Sequence, residues 1–549
     1  VDGSGDRPLL EPDGPTPDEV GYGLADFVAA EEMDRGRGFW WSPAGDALLV
    51  CRVDQAPVQR WHIADPANPE RPPSVERYPA AGSDNAMTSL VLVGLDGARR
   101  EVRWERSGPG DGEYLARVTW SAAGPPLIAV QSRDQRTVHL LTVDTATGAT
   151  TLLRTDTDPH WVELFVGAPG WTPDGRLVRV VADQDGYRLH VGSDPVTPPD
   201  LRVRTVLDIG QDILFSASAA DSTQVHVFVA DEQGVRALTT EPGVHHATRA
   251  GRVLVTGSSG LEHFGSIARV WRDGAVLGTV SSLTVTPPLT PNVRMLVAGE
   301  RDLRCALLLP TGHTPGSGQL PVLLDPYGGP GAQRVLTARN AYLSSQWFAD
   351  QGFAVLVVDG RGTPGRSLAW TQAINREFAE VTLEDQVDAL HALAAVHPEL
   401  DLSRVAIRGW SYGGYLAALA VLRRPDVFHA AVAGAPVTDW RLYDTHYTER
   451  YLGDPRTEPE VYERNSLISD AAKLSRPLML IHGLADDNVV AAHTLRLSAA
   501  LLAAGRPHTV LPLSGVTHMT PQEQVAENLL LLQVDFLRSA LARAGQPAT

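Results

Sequence analysis

Gly409-Trp410-Ser411-Tyr412-Gly413 constrains this chain more than any other segment. It follows the short apolar run Val405-Ala406-Ile407 and leads into an alanine-rich stretch, Leu416 to Leu422, with helical spacing. A strand that turns sharply into a helix through G-x-S-x-G holds one serine hydroxyl at the apex of the turn. The glycines are required because the strained turn leaves no room for side chains beside that serine. Ser411 is therefore read as a nucleophile, and the strand–turn–helix context separates it from an ordinary turn serine.

At 549 residues the chain exceeds one compact core, so two or more domains are expected. The net charge of −18 argues against a nucleic-acid partner. Without a run of 18 apolar residues, no membrane span is expected. The two cysteines, Cys51 and Cys305, fall in different expected domains. A disulfide framework is therefore not expected, and two such cysteines cannot form a structural zinc site alone, which favours a reducing compartment; for the serine chemistry read below, no metal and no cofactor are expected. No charged leader with an apolar stretch is visible, and the expected location is cytoplasmic, with secreted or periplasmic placement left open because a start at Val1 leaves the true N-terminus unassigned.

Residues 1–287 read as all-β. Alternating runs such as Ala47-Leu48-Leu49-Val50, Val138-His139-Leu140-Leu141 and Val225-His226-Val227-Phe228 are separated by turn residues. A loose repeat recurs at Trp41-Ser42-Pro43-Ala44-Gly45, Trp120-Ser121-Ala122-Ala123-Gly124 and Trp171-Thr172-Pro173-Asp174-Gly175. Its position before strand-like runs favours a β-propeller over a pair of β-sandwiches, with roughly five blades of about 40–50 residues. Residues 288–549 change pattern. Apolar runs at Leu320 to Leu324, Phe353 to Val358, Val405 to Ile407, Ala430 to Val432, Leu478 to Ile481 and Val510 to Leu513 alternate with helical stretches. This is the signature of an α/β domain with a mostly parallel sheet, whose chemistry sits beyond the carboxyl ends of the strands. A long final helix is expected over Gln522 to Ala544, its apolar positions Leu529, Leu532, Phe536, Leu537 and Leu541 covering the sheet or a second subunit.

Serine needs a base to take its proton, and the base needs an orienting carboxylate. In an α/β-hydrolase these follow the serine in the order acid, then histidine. The run Leu478 to Ile481 ends in His482-Gly483-Leu484-Ala485-Asp486-Asp487-Asn488, and the next ends in Gly515-Val516-Thr517-His518. His518 is the candidate base. The acid is Asp486 or Asp487, and His482, which precedes both, is read as a packed structural histidine. The oxyanion requires donors. The backbone N–H of Tyr412 supplies one. The segment Asp325-Pro326-Tyr327-Gly328-Gly329-Pro330 supplies the other, through backbone or through the Tyr327 hydroxyl.

Together these residues resemble the dipeptidyl peptidase IV branch of the prolyl oligopeptidase family, over nearly the whole chain. Gly-Trp-Ser-Tyr-Gly-Gly-Tyr at 409–415 and His482 through Val489 carry the resemblance. It implies a β-propeller, partial in this chain, followed by an α/β-hydrolase domain. It also implies Asp486 as the acid and Tyr327 as an oxyanion donor through its hydroxyl. The segment from Ala435 to Tyr451 is similar to the family as well. It implies a pocket for the residue before the scissile bond lined by Val437, Trp440, Tyr443, Tyr447 and Val489, with Asn488 donating to a substrate carbonyl. Such an aromatic box suits proline or alanine.

The second diagnostic motif is Asp26-Phe27-Val28-Ala29-Ala30-Glu31-Glu32, ahead of Phe39-Trp40-Trp41-Ser42-Pro43. Adjacent carboxylates alone mark a solvated face, but here they match the family's double glutamate. They imply a clamp for a protonated α-amino group. Two extended residues span about 7 Å, so only the second peptide bond would reach Ser411. The expected activity is a serine exopeptidase releasing X-Pro or X-Ala dipeptides from oligopeptides. The alternative is an acylaminoacyl-peptidase or prolyl endopeptidase of the same fold. A homodimer is expected from the resemblance. Family members carry several blades before the double glutamate, so the chain is expected to be the later part of a longer protein. The family's carbonyl-binding arginine lies in that earlier region and is not assigned here.

Overall fold

The computed structural model describes residues 8–15, 19–106, 108, 110–314 and 316–544; the outer ends of the two expected domains lie outside these. Among the described residues, five antiparallel sheets of four or five strands occupy the first half, spanning 20–102, 114–157, 170–195, 202–237 and 244–280, and a separate two-stranded ribbon, Arg60–Ile63 with Ser74–Arg77, projects from the first. The last four run in chain order as propeller blades do, while in the first the strand Ala47–Asp54 pairs with Val20–Tyr22 and Phe39–Trp41 on one edge and Met87–Gly94 on the other. The Trp-turn-Gly repeat falls each time at the hairpin between an early strand and the next one: Phe39–Trp41 to Ala47–Asp54, Tyr114–Thr119 to Leu127–Gln131, and Gly170–Trp171 to Leu177–Asp183. The fourth and fifth sheets lack it, which is why the repeat is irregular. Central strands are dry: every residue of Gly186–Val191 and of Ile213–Ser218 is buried. The outermost strand of the fifth sheet, Ala275–Val280, is exposed throughout.

The second half is built on one eight-stranded sheet. Its strands are β1 (Val293–Ala298), β2 (Leu303–Leu308), β3 (Leu320–Leu324), β4 (Ala354–Asp359), β5 (Leu400–Trp410), β6 (Ala430–Gly434), β7 (Leu478–Gly483) and β8 (Thr509–Leu513). They lie in the order β1-β2-β4-β3-β5-β6-β7-β8. β1, β2 and β4 pair antiparallel, and the rest are parallel. β1 and β2 went unseen in the sequence pattern. Parallel strands must be covered on both faces. One face is covered by the helices Ala379–Ala394, Tyr412–Arg423 and Ala492–Ala503, the other by Leu343–Asp350 and Glu523–Ala544.

The C-terminal helix packs on β5 and β6 through Leu529, Val534, Leu537, Ala540 and Leu541. Leu532, expected on this face, is instead about half exposed, as is Leu531. Leu537 is fully buried. Leu537→Ala should therefore cost about 2–5 kcal/mol of unfolding free energy in denaturant titration. Leu532→Ala should stay within about 0.5 kcal/mol.

Candidate active site

The elbow forms as its sequence requires. β5 ends at Trp410, the helix Tyr412–Arg423 begins at once, and Ser411 between them has φ 58° and ψ −118°. A non-glycine residue there is strained, and neighbouring structure must hold it. The Ser411 amide donates to Gly434 O (2.9 Å), and Ser411 O accepts from the Tyr415 amide (2.9 Å). A Cβ on Gly409 would sit 2.1 Å from Gly413 O, so the first glycine of the motif is a steric necessity. Tyr412 opens the helix, where backbone N–H groups have no intrahelical acceptor, leaving its amide available to an oxyanion.

The acid and base meet beyond β7 and β8. His518 Nδ1 lies 2.8 Å from Asp486 Oδ2. Asp486 is buried, and its Oδ1 accepts from the amides of Asn488 (3.0 Å) and Val489 (2.8 Å). Burial alone would raise the Asp486 carboxyl, but His482, its Nε2 3.6 Å from Oδ2, and the hydrogen bond from His518 hold it below the ordinary value. An ionised carboxylate only accepts, so Nδ1 of His518 carries the proton and Nε2 is left as the base nitrogen. Trp410, next to Ser411, donates its indole N–H to His518 O (2.8 Å) and so ties the elbow to the histidine loop. Asp487 is exposed. His482 is buried between Thr494 Oγ1 (2.7 Å) and Val489 O (2.6 Å), a packed residue.

Tyr327 follows β3 and is half-buried, its ring centroid 5.8 Å from that of Tyr412. Burial, with the carboxylate of Glu32 nearby, pushes its phenol well up, so it stays a protonated donor. Gly329 leaves room for the Tyr412 ring, since a Cβ there would meet it at 2.3 Å.

Val437, Trp440, Tyr443, Tyr447 and Val489 are all buried in one cluster. The Trp440 and Tyr447 rings stack at 6.0 Å, and Tyr443 meets Tyr447 edge-on at 5.2 Å. Phe378 and Tyr451 extend this wall and were missed in the sequence, where nothing marks Phe378 as a neighbour. Buried His493 accepts from the Thr438 amide (3.1 Å) and so supports the pocket backbone; burial lowers it to about 3 and keeps it neutral.

Across the gap, the short helix Phe27–Glu32 carries the two glutamates out of the first sheet. The buried pair Arg35–Asp26 (3.0 Å) pins its start, and Arg117 binds Met33 O just past its end. Glu31 Oε2 accepts from Asn488 Nδ2 (3.0 Å), while Asn488 Oδ1 accepts from the Tyr443 hydroxyl (3.1 Å). The hydroxyl of Tyr78, also missed, donates to Asn488 O (2.8 Å). Glu32 is half-buried beside Asp444. Burial first, then the Asp444 charge, pushes Glu32 up; burial likewise raises Asp444 to about 7, so each carboxyl is held above its ordinary range. Asp444 caps the helix Thr445–Leu452 by accepting from the Tyr447 amide (2.9 Å). An Asp-Thr step before a helix is a readable cap signal, although it does not reveal the glutamate beside it. Among the described residues no cluster of metal-ligating side chains occurs.

Two family models match the chain. Residues 10–250 match the dipeptidyl peptidase IV (DPP IV) N-terminal region, and residues 340–544 match the prolyl oligopeptidase family. Dipeptidyl peptidase 8 of Mus musculus is 41% identical over 594 aligned positions, covering 88% of this chain and 66% of that protein. A probable dipeptidyl-aminopeptidase B of Emericella nidulans is 29% identical, covering 87% of this chain and 59% of that protein. The chain thus spans about two thirds or less of the length of these curated relatives. The crystal structure of Porphyromonas gingivalis dipeptidyl peptidase 4 superposes with a TM-score of 0.88 at 23% identity, over 95% of this chain and 77% of that one, and so shares its fold. No helix among the described residues is long and apolar enough to cross a membrane. With an N-terminal region of the dipeptidyl peptidase IV kind and a matching catalytic half, the chain belongs to the prolyl oligopeptidase family.

Proposed function

We propose that this protein is a serine exopeptidase that releases N-terminal X-Pro or X-Ala dipeptides from oligopeptides. The observation that carries the reading is the hydrogen bond between Glu31 and Asn488, which joins the acidic helix of the propeller to the loop bearing Asp486. A protonated amine bound by Glu31 and Glu32 would place the second substrate residue in the aromatic box and its carbonyl carbon at Ser411. The Ser411 hydroxyl attacks and passes its proton to His518 Nε2, while Asp486 fixes the imidazole tautomer. The Tyr412 amide and the Tyr327 hydroxyl stabilise the oxyanion. His518 then protonates the leaving amine, and water repeats the sequence on the acyl-enzyme. No cofactor takes part.

Chromogenic H-Ala-Pro, H-Gly-Pro and acetyl-Ala-Pro substrates test the ruler. Free-amine substrates should be cleaved and the acetylated one refused. Glu31→Ala should lower kcat/KM by an amount equivalent to about 2–5 kcal/mol, and Ser411→Ala should abolish turnover. Preference for the acetylated substrate would instead assign an acylaminoacyl-peptidase or endopeptidase.

The raised Glu32 carboxyl gives a pH test. Asp444 raises Glu32, so Asp444→Asn should let Glu32 ionise at lower pH while still capping its helix. The rise of KM on acidification should then begin at lower pH than in the wild type. An unmoved profile would remove Asp444 from the amine site.

We further propose a homodimer, supported by Leu531 and Leu532 left exposed on the C-terminal helix. Sedimentation should give twice the chain mass, reduced to the monomer by Leu531→Asp with Leu532→Asp.

A further inference from the structure

The helix Thr445–Leu452 has two faces with different owners. Tyr447 and Tyr451, 5.2 Å apart, continue the aromatic wall that begins at Tyr443. The opposite face, Thr445, His446, Glu449 and Arg450, follows the spacing of one helical side. Each of these four residues is bonded to the propeller. Thr445 Oγ1 donates to Asn85 Oδ1 (2.6 Å). His446 Nε2 meets Gln131 Oε1 (3.2 Å), and its carbonyl accepts from Gln135 Nε2 (2.5 Å). Glu449 takes a two-pronged guanidinium from Arg133 (2.8 and 2.7 Å) and the Gly82 amide (2.8 Å). Arg450 donates to Gln135 Oε1 (2.8 Å) and Glu163 Oε1 (3.1 Å).

Three of these partners, Gln131, Arg133 and Gln135, come from one hairpin between the strands Leu127–Gln131 and Thr137–Val143 of the second sheet. Gln135 is fully buried, has φ 59°, and uses both ends of its amide on the helix. A non-glycine residue held at positive φ marks a place where the surroundings dictate conformation. Arg133 also donates to Ser83 O (2.7 Å), and the Glu449 side chain is only 3% exposed. A buried carboxylate gripped in two places cannot shift without losing both partners.

We infer that the hairpin 131–135 is a specificity-determining element of the catalytic pocket, with Arg133 and Gln135 as positioning residues for Tyr443 and Tyr447. The inference rests on the pocket assigned above to the residue before the scissile bond. The propeller would thus set which side chain the pocket admits, in addition to screening what reaches it. Neither residue touches substrate; both act through the helix.

The test compares wild type, Arg133→Ala, Arg133→Lys and the double variant Arg133→Ala/Glu449→Gln, which leaves no unpaired buried charge if the single variant fails to fold. Pro and Ala are compared before the scissile bond in both free-amine and acetylated series. Because misplacement of about 1 Å is costly, Arg133→Ala should reduce the proline-over-alanine ratio of kcat/KM by about tenfold. Labelling of Ser411 by a small fluorophosphonate should stay near the wild-type rate, and Arg133→Lys should recover part of the ratio. Hydrogen–deuterium exchange should rise over residues 443–452 in the alanine variant, whichever substrate series is cleaved. An unchanged ratio with unchanged exchange, or labelling that falls in parallel with turnover, would overturn the inference. Cleavage of the acetylated series alone would sink the dipeptide reading while leaving the hairpin's effect readable.

Discussion

The carboxylate of Asp486 is the interaction on which the rest of this site hangs. One oxygen orients His518, while the other is held by the amides of Asn488 and Val489. Those amides fix the loop that presents the Asn488 side chain, and Asn488 in turn meets Glu31 from the propeller and Tyr443 from the pocket. A group buried this deeply stays ionised only because its oxygens are occupied by donors. The same bonds that keep it charged therefore fix the distance between His518 and the acidic helix.

Around that loop the modules join through polar contacts that are mostly out of water. Arg133 with Glu449, Arg450 with Glu163, and Thr445 with Asn85 all cross from propeller to catalytic half. Ion pairs of this kind add little net stability, because desolvation offsets the attraction, but they penalise any other arrangement heavily. Their contribution is registration: a greasy interface would tolerate sliding, whereas a two-pronged guanidinium does not.

Much of this was legible in the chain. The elbow announced itself because steric rules leave few residues able to occupy it, and order along the sequence then pointed to the acidic and histidine loops. Burial now separates Asp486 from its neighbour Asp487, a distinction that residue type alone left open. The antiparallel pair Val293–Ala298 and Leu303–Leu308 was invisible because each is short and interrupted by an arginine, Arg294 and Arg304. The fourth and fifth sheets lack the tryptophan turn that marked the others. Asp444 beside Glu32 and Gln135 beside Arg450 could not be seen, because contacts over hundreds of residues leave no local pattern.

The upward displacement of the Glu32 and Asp444 carboxyls has a thermodynamic consequence. A cation settling against these carboxyls would favour their ionised forms, so its association would release protons to solvent. Part of the heat of such an event belongs to whatever buffer receives them. Calorimetric enthalpies of such an association would thus depend on the ionisation heat of the medium, while the underlying affinity at fixed acidity would not.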